Sequence, residues 1–210
     1  MMKQLTRKQK QAQTRQCLMR SAAKMFTQRG LAQTSIDDVA QDAGFTKGAF
    51  YANFANKQEL FLAMLDERFA RKIEQIEEVI AGKGSEADKA LRAGDQFTEQ
   101  FNADPEWQRL FLEFSAYAAR DEDFREELVT RYRWMRARIA AALERQAQLM
   151  PLDMPIPAER IAMMTCAMAN GIAVERLLEG DAIPEDIFGT MLMVFFRGLR
   201  VLAEEQHARP

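Results

Sequence analysis

The sequence predicts an all-α protein of about nine helices, with a small N-terminal domain at residues 1–55 and a larger helical domain at 56–210. Helix-forming residues such as Ala, Leu, Met, Glu, Gln, Arg and Lys recur along the whole chain. Apolar residues recur at three- and four-residue steps, and no segment alternates with period two for long enough to indicate a strand. The 10 Gly and 6 Pro residues stand mostly between these periodic segments, where they mark the ends of helices.

The first predicted helix covers residues 8–29. Its apolar residues Leu18, Ala22 and Phe26 follow one another at four-residue spacing and therefore lie on one face. Gly30 comes directly after this helix and suits the left-handed conformation in which many helices end.

Two short helices are predicted next, at residues 36–43 and 47–53, with a turn at Gly44 between them. Thr46 precedes the second of these helices and is expected to cap it through its hydroxyl. The first of them begins with a capping box. The candidate members of this box are Thr34 or Ser35 as the cap, and Asp37 or Asp38 as the acidic partner.

A long fourth helix is predicted from residue 56 to 80, capped by Asn56 and linking the two domains. Its apolar stripe consists of Leu60, Met64, Phe69, Ile73, Ile76 and Ile80. Beyond a loop at 82–85, Pro105 and Pro184 each suit the first turn of a helix, and Asp121 suits a cap. The remaining helices are predicted at 86–102, 105–119, 122–149, 157–179 and 184–204.

Residues 36–54 have the composition that a helix-turn-helix requires. Ala40 is small enough for two helices to cross closely, and Gly44, four residues later, suits the positive φ of the turn. The side chains that can face inward are Ile36, Val39, Phe45 and Phe50. The favoured interpretation is a helix-turn-helix that binds DNA, and the alternative is an ordinary helical hairpin with a glycine turn.

The same segment resembles a known family. The residues that carry the resemblance are Thr34-Ser35-Ile36, Val39-Ala40, the run from Ala43 to Phe54, Asn56-Lys57 and Leu60. Together they closely resemble the DNA-binding domain of TetR-family regulators. The resemblance is strong over roughly residues 12–62, and beyond them it depends on the number of helices and on the last helix.

The resemblance implies that eight residues contact DNA, and physical chemistry supports particular roles for five of them. Hydroxyls and unpaired backbone N–H groups at a helix N-terminus can hold a phosphate, which suits Thr34, Ser35 and Thr46. The Thr46 methyl group also suits contact with a thymine. Lys47 has the length and charge to reach a guanine edge or a phosphate. Gly48 permits a close approach of the backbone to DNA.

The other implied contacts lie at the end of the third helix and the start of the fourth. Tyr51 and Lys57 resemble the family's phosphate-binding tyrosine and lysine. Asn53 stands where many relatives carry histidine, so the resemblance does not specify its contact. Phe50, which stands where a smaller aliphatic residue is commoner, and Phe54 are interpreted as core residues.

Charge is distributed unevenly along the chain. Residues 1–55 contain nine Lys and Arg against three Asp, a net charge of +6, whereas the rest of the chain carries −8. This asymmetry indicates a basic module that meets a polyanion, and neutralising about four phosphates per subunit would make affinity fall steeply with salt. Part of the positive charge is either a DNA-contacting arm or a solubilising tail. Its residues are Lys3, Arg7, Lys8 and Lys10.

The last two helices are predicted to form a homodimer interface. The helix at 157–179 is apolar almost all round, and the helix at 184–204 has more apolar surface than one core needs. Pairing both helices with their symmetry mates would bury them in a four-helix bundle, and the resemblance implies the same interface. A dimer predicts a palindromic operator. The alternative is a monomer with a single large core.

The resemblance further implies a cavity, enclosed by the middle helices, for a small and largely apolar effector that releases the protein from DNA. The 13 Met residues and the aromatic residues suit an adaptable apolar wall, and the alternative is that they fill a core. The candidate lining residues are Trp107, Phe111, Phe114, Tyr117, Tyr132, Met135, Met164, Met168 and Asn170. The polar candidates for orienting the effector are Asn170, Glu113, Arg136 and Arg176.

No residue pattern indicates an enzyme, a metal site or a cofactor. The single His207 lies in a polar tail, and the chain has no HExxH, GxSxG or Walker motif. Cys17 and Cys166 are expected to be reduced buried thiols, with a thiol sensor as the alternative. A DNA-organising protein without a ligand is a further alternative, which would bind DNA without sequence preference.

The sequence also predicts a soluble, cytoplasmic protein. Its first residues lack the apolar core of a signal peptide. The longest apolar run, at about residues 161–174, is interrupted by Thr165 and Asn170 and is too short to span a bilayer.

Overall fold

The computed structural model describes residues 6–149 and 154–208. The helices are α1 (Arg7–Gln33), α2 (Ile36–Asp42), α3 (Lys47–Tyr51), α4 (Lys57–Ala81), α5 (Glu86–Ala103), α6 (Pro105–Ala118), α7 (Glu122–Leu149), α8 (Ala158–Glu179) and α9 (Ile187–His207). A single 3-10 turn (Gly180–Ala182) follows α8. The described residues thus contain nine α-helices and no strand, which confirms the predicted all-α class.

Local capping explains several of the helix ends. Asn56, Asp121 and Thr46 each accept the backbone N–H three residues ahead, at 2.7, 2.9 and 3.2 Å, as predicted. Of the two candidate caps for α2, Ser35 fills the role, with Asp38 as its partner in the capping box.

Gly30 has the expected positive φ of 77° and a ψ of 164°, so regular helical backbone stops there as predicted, and a short second segment follows to Gln33 across a kink. The last helix differs from the sequence prediction. Helix α9 begins at Ile187 rather than at Pro184. The carbonyl oxygen of Pro184 accepts the Ile187 N–H at 3.3 Å, so the proline lies in a turn before the helix.

The chain divides into two compact units, and the first contains Met1–Arg68 together with Arg109–Leu128. Its core is aromatic. The rings of Phe61 and Phe114 stack with their centroids 3.5 Å apart, and Phe26 and Phe124 pack against Phe114. Because these α6 and α7 aromatics pack against α1 and α4, the unit extends beyond the predicted boundary at residue 55.

The second unit contains Phe69–Gln108 and Val129–Pro210. In it α5 and α9 cross at a pair of glycines, Gly94 and Gly189. A Cβ atom on Gly94 would lie 2.5 Å from the backbone nitrogen of Gly189, so this approach is one of backbone against backbone. The core beside the crossing consists of Ala90, Phe97, Phe101, Ala169, Ala173, Phe188 and Leu192.

One stretch of the described residues, Ala158–Ala182, has the length and apolarity to cross a membrane. It is longer than the apolar run expected at 161–174, because the helix extends beyond that run at both ends. The core helix of a soluble protein meets the same criterion, and this stretch packs Ala169 and Ala173 into the core of the second unit.

Stability should fall in acid because capping aspartates accept hydrogen bonds in the folded chain. The Ser35 hydroxyl holds the pKa of Asp38 below its usual value, and the Ser85 hydroxyl does the same for Asp88. The unfolded chain therefore binds more protons near pH 4, and this contribution is present above the unfolded pKa and lost as pH falls through the folded one. Urea midpoints between pH 6 and pH 3 measure the effect.

The variant Asp88→Asn should weaken this acid dependence. Asp95→Asn, on the exposed surface of the same helix α5, is the matched control and should leave the dependence unchanged. Equal midpoints for the wild-type chain at pH 6 and pH 3 would contradict the prediction.

Candidate nucleic-acid interface and ligand cavity

The geometry of α2 and α3 is that of a helix-turn-helix. Val39, Ala40 and Phe50 are buried and hold the two helices against the rest of the first unit. Gly44 has a φ of 76°, and the N–H of Phe45 donates to the carbonyl oxygen of Ala40 at 2.8 Å across the turn. The small residue and the glycine turn thus have the structural roles predicted for them.

Helix α3 presents a polar face to solvent. Phe50 points into the core, while Thr46, Lys47, Gly48 and Tyr51 are exposed, Tyr51 to 51%. A Cβ atom on Gly48 would have the Thr46 hydroxyl oxygen, at 3.7 Å, as its nearest neighbour, so the backbone is open to solvent here. We call the side of α3 formed by these four residues the recognition face.

Lys47 on the recognition face is paired with an acid on α2. Its ammonium lies 2.8 Å from the Asp37 carboxylate, and both side chains are more than half exposed. The hydrogen bond to Asp37 raises the pKa of Lys47, so the side chain remains cationic at neutral pH. An exposed pair of this kind is weak, and the ammonium can therefore exchange Asp37 for another anion.

Thr34 has a different role from the one predicted. Its side chain is 1% exposed, and its hydroxyl donates to the carbonyl oxygens of Gly30 at 2.8 Å and Met25 at 3.2 Å. The hydroxyl that was predicted to hold a phosphate is thus buried and bonded where α1 ends.

Lys57 also forms hydrogen bonds with the end of α1. Its ammonium donates to the carbonyl oxygens of Leu31 at 2.7 Å and Thr34 at 2.9 Å, and burial lowers its pKa. The N–H of Leu31 donates to the Glu113 carboxylate at 2.8 Å. Lys57 therefore joins α4 to the end of α1, while Glu113, predicted to orient an effector, joins α6 to the same segment.

The Asn53 side chain bonds to the backbone one turn earlier in the chain. Its Nδ2 donates to the carbonyl oxygen of Ala49 at 2.8 Å, and its Oδ1 is buried without a hydrogen-bond partner among the described residues. Arg15 of α1 donates to the Asn53 carbonyl oxygen at 2.7 Å and lies 4.0 Å from the centroid of the Phe54 ring. The sequence did not predict this role of Arg15, because a basic residue on the polar face of a helix fits the same pattern whether it contacts solvent or another segment.

The remaining basic and hydroxyl candidates lie on the outside of the first unit. Ser35 is exposed but donates its hydroxyl to the Asp38 carboxylate at 2.6 Å. Arg7, Lys8 and Lys10 are exposed on the first turns of α1, so they belong to a helix and not to a tail. The predicted arm residue Lys3 lies outside the described residues.

A cavity of about 490 Å³ lies within the second unit. Faces of α4, α5, α7, α8 and α9 line it, and most of its wall is apolar. Of the nine residues predicted to line a ligand site, Met135 and Asn170 do so. The sequence did not predict some of the polar lining residues, among them Lys72, Gln75 and Gln100. Helical periodicity identifies the apolar residues of a face, so it gave no signal for these three.

The other seven predicted lining residues lie elsewhere. Phe114 is fully buried in the core of the first unit. Tyr117 belongs to the same unit and donates its hydroxyl to Asp121 at 2.7 Å. Met164 is exposed, and Met168 packs against the core beside the glycine crossing. The rest, none of which lines the cavity, are Trp107, Phe111 and Tyr132. The sequence placed them together because helical spacing identifies an apolar face but not what that face packs against.

Two further polar candidates also have other roles. Arg176 is buried and donates to the Thr98 hydroxyl and to the carbonyl oxygens of Pro184 and Glu185, at 3.3, 3.1 and 3.1 Å. It thereby holds the connection between α8 and α9 against α5. Arg136 does not line the cavity.

The cysteines are both unpaired and partly buried. Cys166 lines the cavity, and burial raises the pKa of its thiol, which disfavours the reactive thiolate. Among residues 6–149 and 154–208, no group of three or more His, Cys, Asp or Glu side chains has the geometry to hold a metal ion.

Comparison with known proteins gives matches in both parts of the chain. A family model described as "Bacterial regulatory proteins, tetR family" matches residues 18–64, and one described as "BetI-type transcriptional repressor, C-terminal" matches residues 86–199. The second match alone covers more than half of the chain.

Individual relatives agree with these matches. The transcriptional regulator YwcC of Bacillus subtilis is 23% identical over 89% of this chain and 84% of its own length. The regulator TtgR of Pseudomonas putida is 38% identical over 34% of this chain, and the match spans 37% of TtgR. The structure of Salmonella enterica GusR has a TM-score of 0.75 and 22% identity, covering 94% of this chain and 99% of that one, which is a likeness of fold.

Proposed function

Because this chain belongs to the TetR family of bacterial transcriptional regulators, we propose that it is a repressor that binds a palindromic operator as a homodimer and is released by a small effector. The single observation that best supports DNA recognition is the recognition face of α3. Its four residues, Thr46, Lys47, Gly48 and Tyr51, are exposed on a helix whose opposite side is anchored by buried Phe50. A helix presented in this way suits the major groove.

Each of these four residues has a physical role toward DNA. The Tyr51 hydroxyl can donate to a phosphate oxygen, and Lys47 can bind a phosphate or the edge of a guanine. The Thr46 hydroxyl and methyl suit a phosphate and a thymine, and Gly48 has no side chain to hold the α3 backbone away from the groove. Ser35 on α2 and Lys57 on α4 support this contact. Lys57 does so by fixing the end of α1, which leads into α2.

The exposed apolar side chains of the last two helices support a homodimer. On α8, Met164 and Leu178 are 45% and 76% exposed, and on α9, Val194 and Leu202 are 64% and 47% exposed. A monomer seldom leaves so much apolar surface on adjacent helices, whereas a two-fold axis through α8 and α9 would cover it.

The cavity supports release by an effector. Helix α4 is continuous from Lys57, which holds the end of α1, to the segment between Lys72 and Ile80, which lines the cavity. An effector that binds better to one position of α4 than to the other shifts the population of the DNA-binding form. The protein then acts in the cytoplasm, where the operator is.

Selection of bound sequences from a random duplex pool tests this function. The wild-type chain should recover a palindromic motif, because two subunits read symmetric half-sites. Tyr51→Phe should bind the recovered palindrome more weakly, because the phosphate loses its hydroxyl donor. The matched control is Tyr132→Phe, in the second unit, which should bind as the wild type does.

Other outcomes of this selection would contradict the proposal. An unrepeated half-site would contradict the dimer. Recovery of no motif, together with binding to every duplex, would favour the DNA-organising alternative over a specific regulator.

A further inference from the structure

One end of the cavity wall, which we call the polar end, combines amide groups with a cation. Gln75 on α4 and Gln100 on α5 meet there, with the Gln100 Nε2 donating to the Gln75 Oε1 at 2.6 Å. The exposed side chain of Asn170 on α8 lies close to the Tyr132 hydroxyl, with 3.5 Å between Nδ2 and Oη. Lys72, one turn before Ile76 on α4, lines the same part of the wall, and its ammonium lies 5.7 Å from the centroid of the Phe97 ring.

Between its two ends the wall is mainly apolar. Ile76 and Val79 continue along α4, and Ile139 and Leu143 continue along α7 at four-residue spacing. A molecule that fills the cavity therefore meets amide and ammonium groups at one end and hydrocarbon along most of its length. The volume of about 490 Å³ is in the range of cavities that hold small organic ligands.

The charge of the wall is positive. Its cationic side chains are Lys72, Lys89 and Arg200, and among the described residues its one carboxylate is that of Glu86. Glu86 is at the first turn of α5, more than two turns from Gln96 and Gln100, so it belongs to the other end. Lys89 donates to the carbonyl oxygen of Ile80 and also lies at that other end.

A second cation, Arg136, acts on the polar end, although it does not line the cavity. Lys72 and Arg136 both act to lower the pKa of the Cys166 thiol, opposing the effect of its burial. Arg136 acts in the same direction on the Tyr132 hydroxyl, although burial raises the pKa of that group to about 12. Two cations from different helices thus favour negative charge in the same region of the wall.

We propose that the effector is an organic anion with an apolar body, whose acidic group binds beside Lys72 and Asn170 and whose hydrocarbon part lies along Ile76 and Ile139. This inference rests on the proposed function, because it names the chemical class of the molecule that the cavity takes. An anion that leaves water for an apolar wall needs a cation and hydrogen-bond donors in its place, and this end of the wall supplies both. A cationic ligand of the same shape would meet repulsion there.

The test uses three probes that differ in the head group alone: decanoate, decan-1-ol and decylammonium. Isothermal titration calorimetry on the full chain without DNA, at pH 8 and below micelle-forming concentrations, measures each affinity. Decanoate should bind at least about tenfold more tightly than decan-1-ol, and decylammonium should bind most weakly. Equal affinities for decanoate and decan-1-ol, or no binding of any probe, would overturn the inference.

Variants separate the role of Lys72 from a general effect of charge. Lys72→Met should weaken decanoate binding about tenfold and leave decan-1-ol unchanged, while Lys72→Arg should retain the preference for the anion. Arg133→Met removes one positive charge from an exposed position on α7 and should change neither affinity. Equal loss of both ligands in Lys72→Met would overturn the assigned role, because it would indicate a change in packing alone.

Operator binding is measured separately, so the two proposals fail differently. Selective binding of decanoate with unchanged operator affinity would keep the anion inference and contradict release by that effector. A palindromic operator without preference for the anion would keep the regulator and overturn the inference.

Discussion

Replacing Gly94 by alanine should strongly destabilise the second unit. The new Cβ would lie 2.5 Å from the backbone nitrogen of Gly189 and closer still to its Cα. Since the obstacle is backbone, no side-chain rotation relieves the clash, and α5 and α9 must move apart. Overpacking of this kind costs about 1–3 kcal/mol or more. Urea denaturation followed by circular dichroism measures the loss.

The separation of α5 and α9 should also weaken effector binding. Phe97 and Phe188, whose ring centroids are 4.5 Å apart beside the crossing, both line the cavity. Leu192 lines it one turn further along α9. Gly94→Ala should therefore lower the affinity for decanoate together with the midpoint of unfolding.

Gly48→Ala is the matched control for this experiment. It makes the same substitution in a helix, but its Cβ has no neighbour closer than the Thr46 hydroxyl oxygen at 3.7 Å. Its stability should be unchanged or slightly raised, because alanine favours the helix more than glycine does. Wild-type stability in Gly94→Ala would show that α5 and α9 do not cross in backbone contact.

Replacing Lys47 by alanine should cost about 30-fold or more in operator affinity. The side chain is exposed on the recognition face, and the proposed homodimer would lose it from both half-sites. Loss of a phosphate contact would weaken binding to all sequences and reduce the slope of affinity against salt by about 1 per subunit. Loss of a guanine contact would instead relax the sequence preference at one position of each half-site. Fluorescence anisotropy at several salt concentrations distinguishes the two.

Lys24→Ala is the control for the loss of a cation. Lys24 forms a similar exposed pair, 2.6 Å from Asp42, but lies on α1 and not on the recognition face. Its affinity for the operator should change little. Asp37→Ala should act in the opposite direction to Lys47→Ala, since it frees the ammonium from its partner. Unchanged affinity in Lys47→Ala would remove this residue from the interface.

Local chemistry allowed the sequence to predict the helices and the helix-turn-helix. Caps such as Asn56 and Asp121 bond to N–H groups three residues away, so the signal and its effect lie in the same few residues. Gly44 is needed because the turn requires a positive φ, which is also a local property. The basic charge of residues 1–55 likewise needs no tertiary contact to be recognised.

Contacts between distant segments decided the structural role of individual side chains. Thr34 is buried against Met25 and Gly30, whereas its neighbour Ser35 is exposed, although both are hydroxyl residues before the same helix. Phe114 has the composition expected of a ligand wall, but it stacks on Phe61, 53 residues away in the chain.

The sequence by itself therefore determined the helix class, the recognition helix and the family to which the chain belongs. Tertiary structure alone decided that Gly94 meets Gly189, that Met135 lines the cavity and that Phe114 fills a core. The physical reason is that a helix exposes its apolar face at a fixed period whatever covers that face. Whether the cover is another helix, an effector or a second subunit depends on the packing of segments far apart in the chain.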